Sequence, residues 1–122
     1  MALRNHSFSI NEFYHLYSRG VDKKVVFLDE SDRKRFIKLL YFCNGTRRIV
    51  YREIKDLPLL SVEKGECIVA VGAYCIMGNH FHLLVKEIQE GGISVFMKKL
   101  LTAYSSYFNK KYEREGPLFQ ST

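Results

Sequence analysis

The chain has 122 residues, the length of one domain, and 47% of them are hydrophobic, which is enough to build a single core. Aromatic residues are frequent and no low-complexity stretch occurs, so the composition argues against disorder. No run of 18 apolar residues is present, so we predict neither a membrane span nor a membrane partner. The net charge of +6 suits a polyanionic partner such as DNA or RNA.

The cysteines argue against a disulfide scaffold. Cys43, Cys67 and Cys75 are odd in number, and no two of them have CxxC spacing. This pattern disfavours both a disulfide framework and a cysteine zinc site. We predict three reduced, mostly buried thiols, as expected for a cytosolic protein.

The N-terminal half predicts a strand followed by a helix. Phe13–Ser18 is rich in aromatic and apolar residues and is closed by Arg19–Gly20, which indicates a strand and a turn. The short apolar run Val25–Leu28 leads into a helix. Asp29, Ser31 and Asp32 offer caps and acidic first-turn residues at its start, and Asn44–Gly45 ends it. Residues spaced i, i+3, i+4 and i+7 give this helix one apolar stripe: Phe36, Leu39, Leu40 and Cys43.

The middle of the chain contains the clearest hairpin. Residues 45 to 67 carry little signal, and only a short strand at Ile49–Tyr51 is predicted there. Ile68–Met77 is a long apolar run, which we interpret as a central strand. The turn Gly78–Asn79 follows, and His80–Lys86 returns as the second strand of the hairpin.

The last predicted element is a long helix. It begins at Ile93, after Gly91–Gly92, and is broken at Gly116–Pro117. The order strand, helix, strand, strand, helix predicts one α+β domain that spans residues 1–122. We expect a single antiparallel sheet with both helices on one face.

The sequence His80-Phe81-His82 carries the most specific chemistry. Side chains alternate between the two faces of a strand, so both histidines face one side and Phe81 faces the core. Two imidazoles at this spacing can chelate one metal ion, with further ligands from protein, water or substrate. Solvent-exposed histidines without a ligand are the alternative. The turn before the pair and the apolar Leu83–Val85 after it indicate an internal strand and favour the metal site.

A third histidine lies on the first predicted strand. His15 alternates with Tyr14 and Leu16, so it faces one side of that strand. It would approach the face of His80 and His82 if the two strands were adjacent. We predict a structural, hydrogen-bonded role for His15 rather than metal binding.

Four blocks of the chain resemble the single-tyrosine HUH transposases in the same order. Ala73–Leu84 resembles the histidine segment of the REP-associated tyrosine transposases and their insertion-sequence relatives, and Tyr14–Gly20 resembles their first strand. Val26–Asp29, followed by a basic helix, resembles the next element. Ile93–Gln120 resembles the family's long helix with its G-x-L-F-Q ending. The resemblance therefore covers most of the chain.

The resemblance implies a ferredoxin-like, HUH endonuclease-type fold and an enzyme that cuts and rejoins DNA. The expected partner is single-stranded or hairpin DNA. Resemblance to the insertion-sequence members implies a homodimer, whereas resemblance to the REP-associated members implies a chain that acts alone. His80 and His82 would hold a divalent ion, Mg or Mn, at the scissile phosphate. A tyrosine would attack phosphorus and form a 5′-phosphotyrosine, because that ester keeps the energy needed for rejoining.

The catalytic tyrosine cannot be assigned from the residues. In the family it lies on a further helix downstream of the L-F-Q block, and that helix also supplies another metal ligand. Leu118-Phe119-Gln120 resembles the middle of the family pattern, so we expect a truncated chain whose tyrosine lies beyond Thr122. Tyr112, near the basic tail, is the alternative within these residues.

Two regions are candidates for contact with DNA. Arg19 stands where the family has a recurrent arginine before glycine, so we assign it to phosphate or hairpin contact, with a solvent-exposed loop arginine as the alternative. A basic cluster on the last helix and its tail could follow a phosphate backbone, with a merely solvated helix face as the alternative. This cluster consists of Lys98, Lys99, Lys110, Lys111 and Arg114.

Two rival functions remain at the level of sequence. One is a non-catalytic basic module that binds nucleic acid through surface aromatic residues. The other is an unrelated metal-binding structural protein. Divalent-metal affinity that depends on His80 and His82 separates the transposase from the non-catalytic module, and tight zinc without DNA affinity would indicate the structural protein.

Overall fold

The computed structural model describes residues 8–54 and 56–120, in which three antiparallel strands form one sheet of order β1-β3-β2. Two long helices and one four-residue helix accompany the sheet. In chain order the strands and α-helices are β1 (Phe13–Arg19), α1 (Glu30–Phe42), α2 (Tyr51–Ile54), β2 (Val69–Ile76), β3 (His80–Glu87) and α3 (Gly92–Lys111). Two three-residue 3-10 helices, Val21–Lys23 and Leu59–Ser61, lie in the connections.

Both long helices cover the same face of the sheet. The ring of Phe36 in α1 lies 4.8 Å from that of Phe81 in β3, and Tyr104 in α3 is fully buried 5.5 Å from Phe36. The predicted α+β fold, with one sheet and both helices on one face, is confirmed. None of the described helices combines the length and apolar character needed to cross a bilayer.

The opposite side of the sheet, which we name the open face, carries the polar half of β3. Phe81, Leu83 and Val85 of β3 are buried against the helices, so the alternate side chains of this strand face the other way. Antiparallel pairing with β1 brings four rows of side chains together there. The rows are Phe13 with Lys86, His15 with Leu84, Tyr17 with His82, and Arg19 with His80.

The prediction that Ile68–Met77 is a central strand is wrong. β2 lies at the edge of the described sheet, and β3 lies in its centre. A continuous apolar run suggests a strand buried between two layers, but the small side chains of Ala73 and Cys75 in this run are solvent-exposed. The prediction that the strand after the turn is internal is confirmed.

Two predictions outside the hairpin are also wrong. Ile49–Tyr51 forms no strand, and the four-residue helix Tyr51–Ile54 begins at its end instead. The Tyr51 ring packs on α1, 6.0 Å from Phe42, which removes it from the sheet. The thiols are not mostly buried, since Cys67 and Cys75 are exposed next to or within the edge strand.

Two buried polar side chains hold the hairpin against the helices. Asn44 Oδ1 accepts hydrogen bonds of 2.9 Å from the backbone N–H groups of Ile68 and Val69, which ties the start of β2 to the end of α1. Glu87 Oε1 accepts one of 2.8 Å from the Ile93 N–H in the first turn of α3, where backbone donors lack helical partners. The C-terminal end of β3 is therefore anchored to α3.

A buried carboxylate joins the beginning of α1 to the end of α3. Asp32 is fully buried, and its oxygens accept hydrogen bonds from the hydroxyls of Tyr107 and Tyr112 and from Lys111 Nζ. Lys111 Nζ also lies 3.0 Å from Asp29 Oδ2. We refer to these five residues as the Asp32 cluster.

Asp29 makes the stability of the Asp32 cluster dependent on pH. Hydrogen bonds from the Ser31 hydroxyl, the Asp32 N–H and Lys111 lower the pKa of Asp29 from 3.8 to about 2. The ionised carboxylate therefore stabilises the fold fully above about pH 4, and this contribution is lost as the pH falls towards about 2. We expect urea unfolding to show a steeper loss of stability over this range in the wild-type chain than in Asp29→Asn, which keeps the helix cap. Equal slopes in the two proteins would contradict this assignment.

Candidate functional site

His80 and His82 lie side by side on the open face of β3. Their ring centroids are 5.1 Å apart and their planes are nearly perpendicular, at 88°. Phe81 between them has no exposed surface and packs against Phe36 and Phe119 in the core. The core therefore anchors the backbone of the pair while both imidazoles remain on the open face.

The turn before the pair is held by backbone hydrogen bonds. The Gly78 carbonyl accepts from the N–H groups of Val26 and Phe27 at 2.9 and 3.0 Å, and the Asn79 carbonyl accepts from the Gly20 N–H at 2.8 Å. These bonds connect the turn to the segment that follows β1. The start of β3 is therefore held against that segment.

Neighbouring side chains select which ring nitrogens of the pair are available. His80 Nδ1 lies 2.7 Å from Asn79 Oδ1, and a carbonyl oxygen can only accept, so His80 carries its hydrogen on Nδ1. His82 Nδ1 lies 2.8 Å from His15 Nε2. When His82 donates in this bond, the Nε2 atoms of both His80 and His82 have no partner among the described residues.

His15 approaches the pair because β1 lies next to β3. Its ring is nearly parallel to that of His82, with 13° between planes and centroids 4.9 Å apart. It makes the predicted structural hydrogen bond, and its partner is His82. Partial burial, and then the charges of His15 and His80, lower the pKa of His82 below its usual 6.5. The neutral ring, which is the form that can bind a metal, is thereby favoured.

The donor atoms of the pair fit a divalent ion that shares its coordination with oxygen ligands. In residues 8–54 and 56–120 there is no group of three or more His, Cys, Asp or Glu side chains that could hold a metal ion. The Nε2 atom of His15 is engaged with His82 and is therefore not available as a further ligand. Two imidazole nitrogens leave most positions of a six-coordinate Mg or Mn ion to water and phosphate oxygens, which these ions prefer.

β1 brings an arginine and a tyrosine to the pair. Arg19 is the register partner of His80, and its Nε donates a hydrogen bond of 2.6 Å to Tyr17 Oη. The Tyr17 ring lies 5.5 Å from that of His80 and 5.0 Å from that of His82. Sequence reasoning missed Tyr17, although its alternation with His15 and Arg19 placed it on the same strand face.

The predicted basic cluster of α3 lies on the helical side of the sheet, away from the histidines. Three of its five members have structural partners: Lys99 Nζ donates to the Gly45 carbonyl at 2.6 Å, Lys111 belongs to the Asp32 cluster, and Arg114 donates to Asn109 Oδ1 at 2.6 Å. Lys98 and Lys110 are exposed. Of the predicted DNA-binding residues, only Arg19 is brought to the pair.

Tyr112 also lies on the helical side. Its hydroxyl donates a hydrogen bond of 2.7 Å to Asp32 Oδ2, and its ring packs 4.5 Å from Phe108. Partial burial and the bond to Asp32 raise the pKa of Tyr112, which disfavours the phenolate that a nucleophile needs. The alternative position, beyond Thr122, lies outside the described residues.

Comparison with known families identifies the region that contains the pair. The family model described as "Transposase IS200 like" matches residues 46–121, more than half of the chain. This match includes the hairpin of β2 and β3 with both histidines, and α3, whereas β1 and α1 precede it. No curated protein and no solved structure matches the chain. The chain belongs to the IS200-like transposase family.

Proposed function

We propose that this chain acts in DNA transposition by binding single-stranded or hairpin DNA on the open face, for cleavage and rejoining at His80 and His82. The observation that carries the proposal is the pair itself, two imidazoles side by side with Arg19 in the adjacent row. Membership of the IS200-like transposases supports the general class of activity.

His80 and His82 would hold Mg or Mn through their Nε2 atoms. When bound, the ion would polarise the scissile phosphate and stabilise the leaving 3′ oxygen. Asn79 orients the His80 ring and His15 orients the His82 ring, each through a hydrogen bond to the Nδ1 atom of that ring. Outer partners of metal-binding histidines commonly act in this way. Phe81 keeps the strand in place from the core side.

Arg19 and Tyr17 would position the DNA backbone at the pair. A guanidinium offers several N–H donors, so Arg19 can give one to Tyr17 Oη and direct others to a phosphate. The Tyr17 hydroxyl thereby orients the guanidinium next to His80. The exposed Lys98 and Lys110 lie on the helical side and would add only a general attraction for DNA.

The proposed cleavage passes through a phosphotyrosine. A tyrosine Oη gives up its proton and bonds to phosphorus, the bond from phosphorus to the 3′ oxygen breaks, and that oxygen takes up a proton. The engagement of Tyr112 with Asp32 on the helical side argues against it in this role. The family resemblance implies a tyrosine downstream of the L-F-Q block for this step, and we assign Tyr17 to the positioning of Arg19.

The experiment combines DNA binding with a test for a covalent adduct. The chain is incubated with labelled single-stranded DNA that carries a hairpin, with and without Mn²⁺, and is analysed by native and denaturing gels. We expect binding that Mn²⁺ strengthens in the wild-type chain and in Tyr112→Phe, and a loss of this strengthening in His80→Ala. A longer IS200-like transposase is the positive control for the adduct.

The outcomes separate the proposal from its rival. An adduct formed by this chain and lost in Tyr112→Phe would overturn the exclusion of that tyrosine, and peptide mapping would locate any other nucleophile. DNA binding that neither a chelator nor His80→Ala changes would contradict the metal-dependent proposal. That result would favour a non-catalytic nucleic-acid-binding module.

A further inference from the structure

Phe13 presents an aromatic ring on the open face at the end opposite Arg19. The residue is 51% exposed and begins β1, which pairs with the central strand β3. A Cβ built on Gly72 would lie 3.1 Å from Phe13 Cε1, so the ring reaches across β3 as far as β2. The irregular pairing between Val71 and Ala73 places the glycine at this point, which leaves room for the ring. Contacts with β2 and β3 therefore hold the Phe13 ring in position, while much of the surface of Phe13 stays open to solvent.

The charge of the open face suits a polyanion. Glu87 is the only carboxylate within the three described strands, and it is buried on the helical side. Lys86 Nζ lies 5.8 Å from the centroid of the Phe13 ring, and Arg19 lies at the other end of the same face. The strands thus offer a cation at each end of the open face and no anion.

The Phe13 ring is continuous with the histidine pair. The row of His15 and Leu84 lies between the row of Phe13 and Lys86 and the row of Tyr17 and His82. Leu84 is 40% exposed and adds apolar surface beside the ring. His80 and Lys86 are six residues apart, which is about 20 Å along an extended strand. A DNA strand with a phosphate at Arg19 and His80 can therefore lay its neighbouring nucleotides towards Phe13.

We infer that Phe13, supported by Leu84 and Lys86, is a stacking site for unpaired bases of single-stranded DNA. The inference rests on the proposed function, because it assigns where the bases beside the reacting phosphate lie. The face of an aromatic ring stacks on a base, and a neighbouring cation attracts the phosphate of the same nucleotide. Such binding has little preference for sequence. Paired bases in a duplex are already stacked, so the site selects single strands.

The test compares two equally exposed aromatic residues on opposite faces of the sheet. Tyr74, the register partner of buried Leu83, is 50% exposed on the helical side and serves as the control for Phe13. Binding of a fluorescein-labelled oligothymidine is measured by fluorescence anisotropy in EDTA and low salt. We expect Phe13→Ala to raise Kd by at least about five-fold, the effect of losing one base–aromatic stack. Phe13→Trp and Tyr74→Ala should bind as the wild type does.

A second probe separates the contribution of the bases to the affinity from that of the phosphate backbone. An oligonucleotide with the same phosphates but without bases should bind the wild-type chain as weakly as oligothymidine binds Phe13→Ala. Wild-type affinity in Phe13→Ala, weakened binding in Phe13→Trp, or equal binding of the two probes would overturn the inference. If the wild-type chain has no affinity for oligothymidine, the proposed function fails as well. If the wild-type chain binds oligothymidine and Phe13→Ala binds it equally well, the stacking site is excluded and the proposed function is unaffected.

Discussion

Exchanging His82 for alanine is expected to weaken Mn²⁺ binding at least about 100-fold, whereas His15→Ala should weaken it about 10-fold. The first change removes a proposed ligand. The second leaves both Nε2 atoms in place but removes the 2.8 Å hydrogen bond that orients the His82 ring. Electron paramagnetic resonance of Mn²⁺ bound to the chain measures both affinities without any DNA.

Two further variants serve as controls for the comparison of His82→Ala with His15→Ala. His15→Gln keeps an oxygen that can accept from His82 Nδ1, so it should recover part of the affinity lost in His15→Ala. Lys86→Met changes the same face of β3 four residues from His82 and should leave Mn²⁺ binding unchanged. A loss in His15→Ala as large as in His82→Ala would make His15 a direct ligand. Unchanged binding in His82→Ala would exclude the pair as the metal site.

The pair was predictable because its geometry is local. In any strand, His80 and His82 share a face and Phe81 takes the other, whatever the rest of the sheet does. The turn at Gly78–Asn79 fixes where the strand begins, and the apolar Leu83–Val85 indicates that it is internal. The structure confirms this strand in the centre of the sheet, with Phe81 fully buried.

The neighbours of the pair were not predictable, because they depend on strand order. Nothing in the residues of β1 states that it pairs with β3, and only this pairing places His15 and Tyr17 beside His82. The position of β2 in the sheet was predicted wrongly for the same reason, because the sequence does not show the strand order. A continuous apolar run is typical of a strand buried on both faces, but small residues such as Ala73 produce the same run at an exposed edge.

The basic cluster of α3 shows a second limit of sequence reasoning. Charge and helical period identify lysines off the apolar stripe, but they do not reveal which lysines already have partners. Lys111 lies within 3.0 Å of both Asp29 and Asp32, so its charge is largely balanced. Arg19, a single residue in a turn by sequence, is the cation that the sheet brings to the histidines.

Asp32→Ala is expected to lower the free energy of unfolding by about 3 kcal/mol. Removing one partner of a buried ion pair costs about 3–5 kcal/mol when the remaining charge is left buried and unpaired. Lys111 keeps Asp29 as a partner and 31% of its side chain exposed, so the lower end applies. The change also leaves the hydroxyls of Tyr107 and Tyr112 and the Leu28 N–H without their acceptor. Urea unfolding followed by circular dichroism measures the loss.

Glu30→Gln is the matched control, because Glu30 is an exposed acidic residue in the same first turn of α1. Its effect should stay within about 0.5 kcal/mol, as for other surface substitutions. The Asp32 cluster lies on the helical side, so Asp32→Ala should leave Mn²⁺ affinity unchanged under conditions in which the variant is folded. A loss below about 1 kcal/mol would show that the ion pair does not join α1 to α3. A full loss together with unchanged Mn²⁺ affinity would separate the residues that hold the scaffold from those proposed to carry the chemistry.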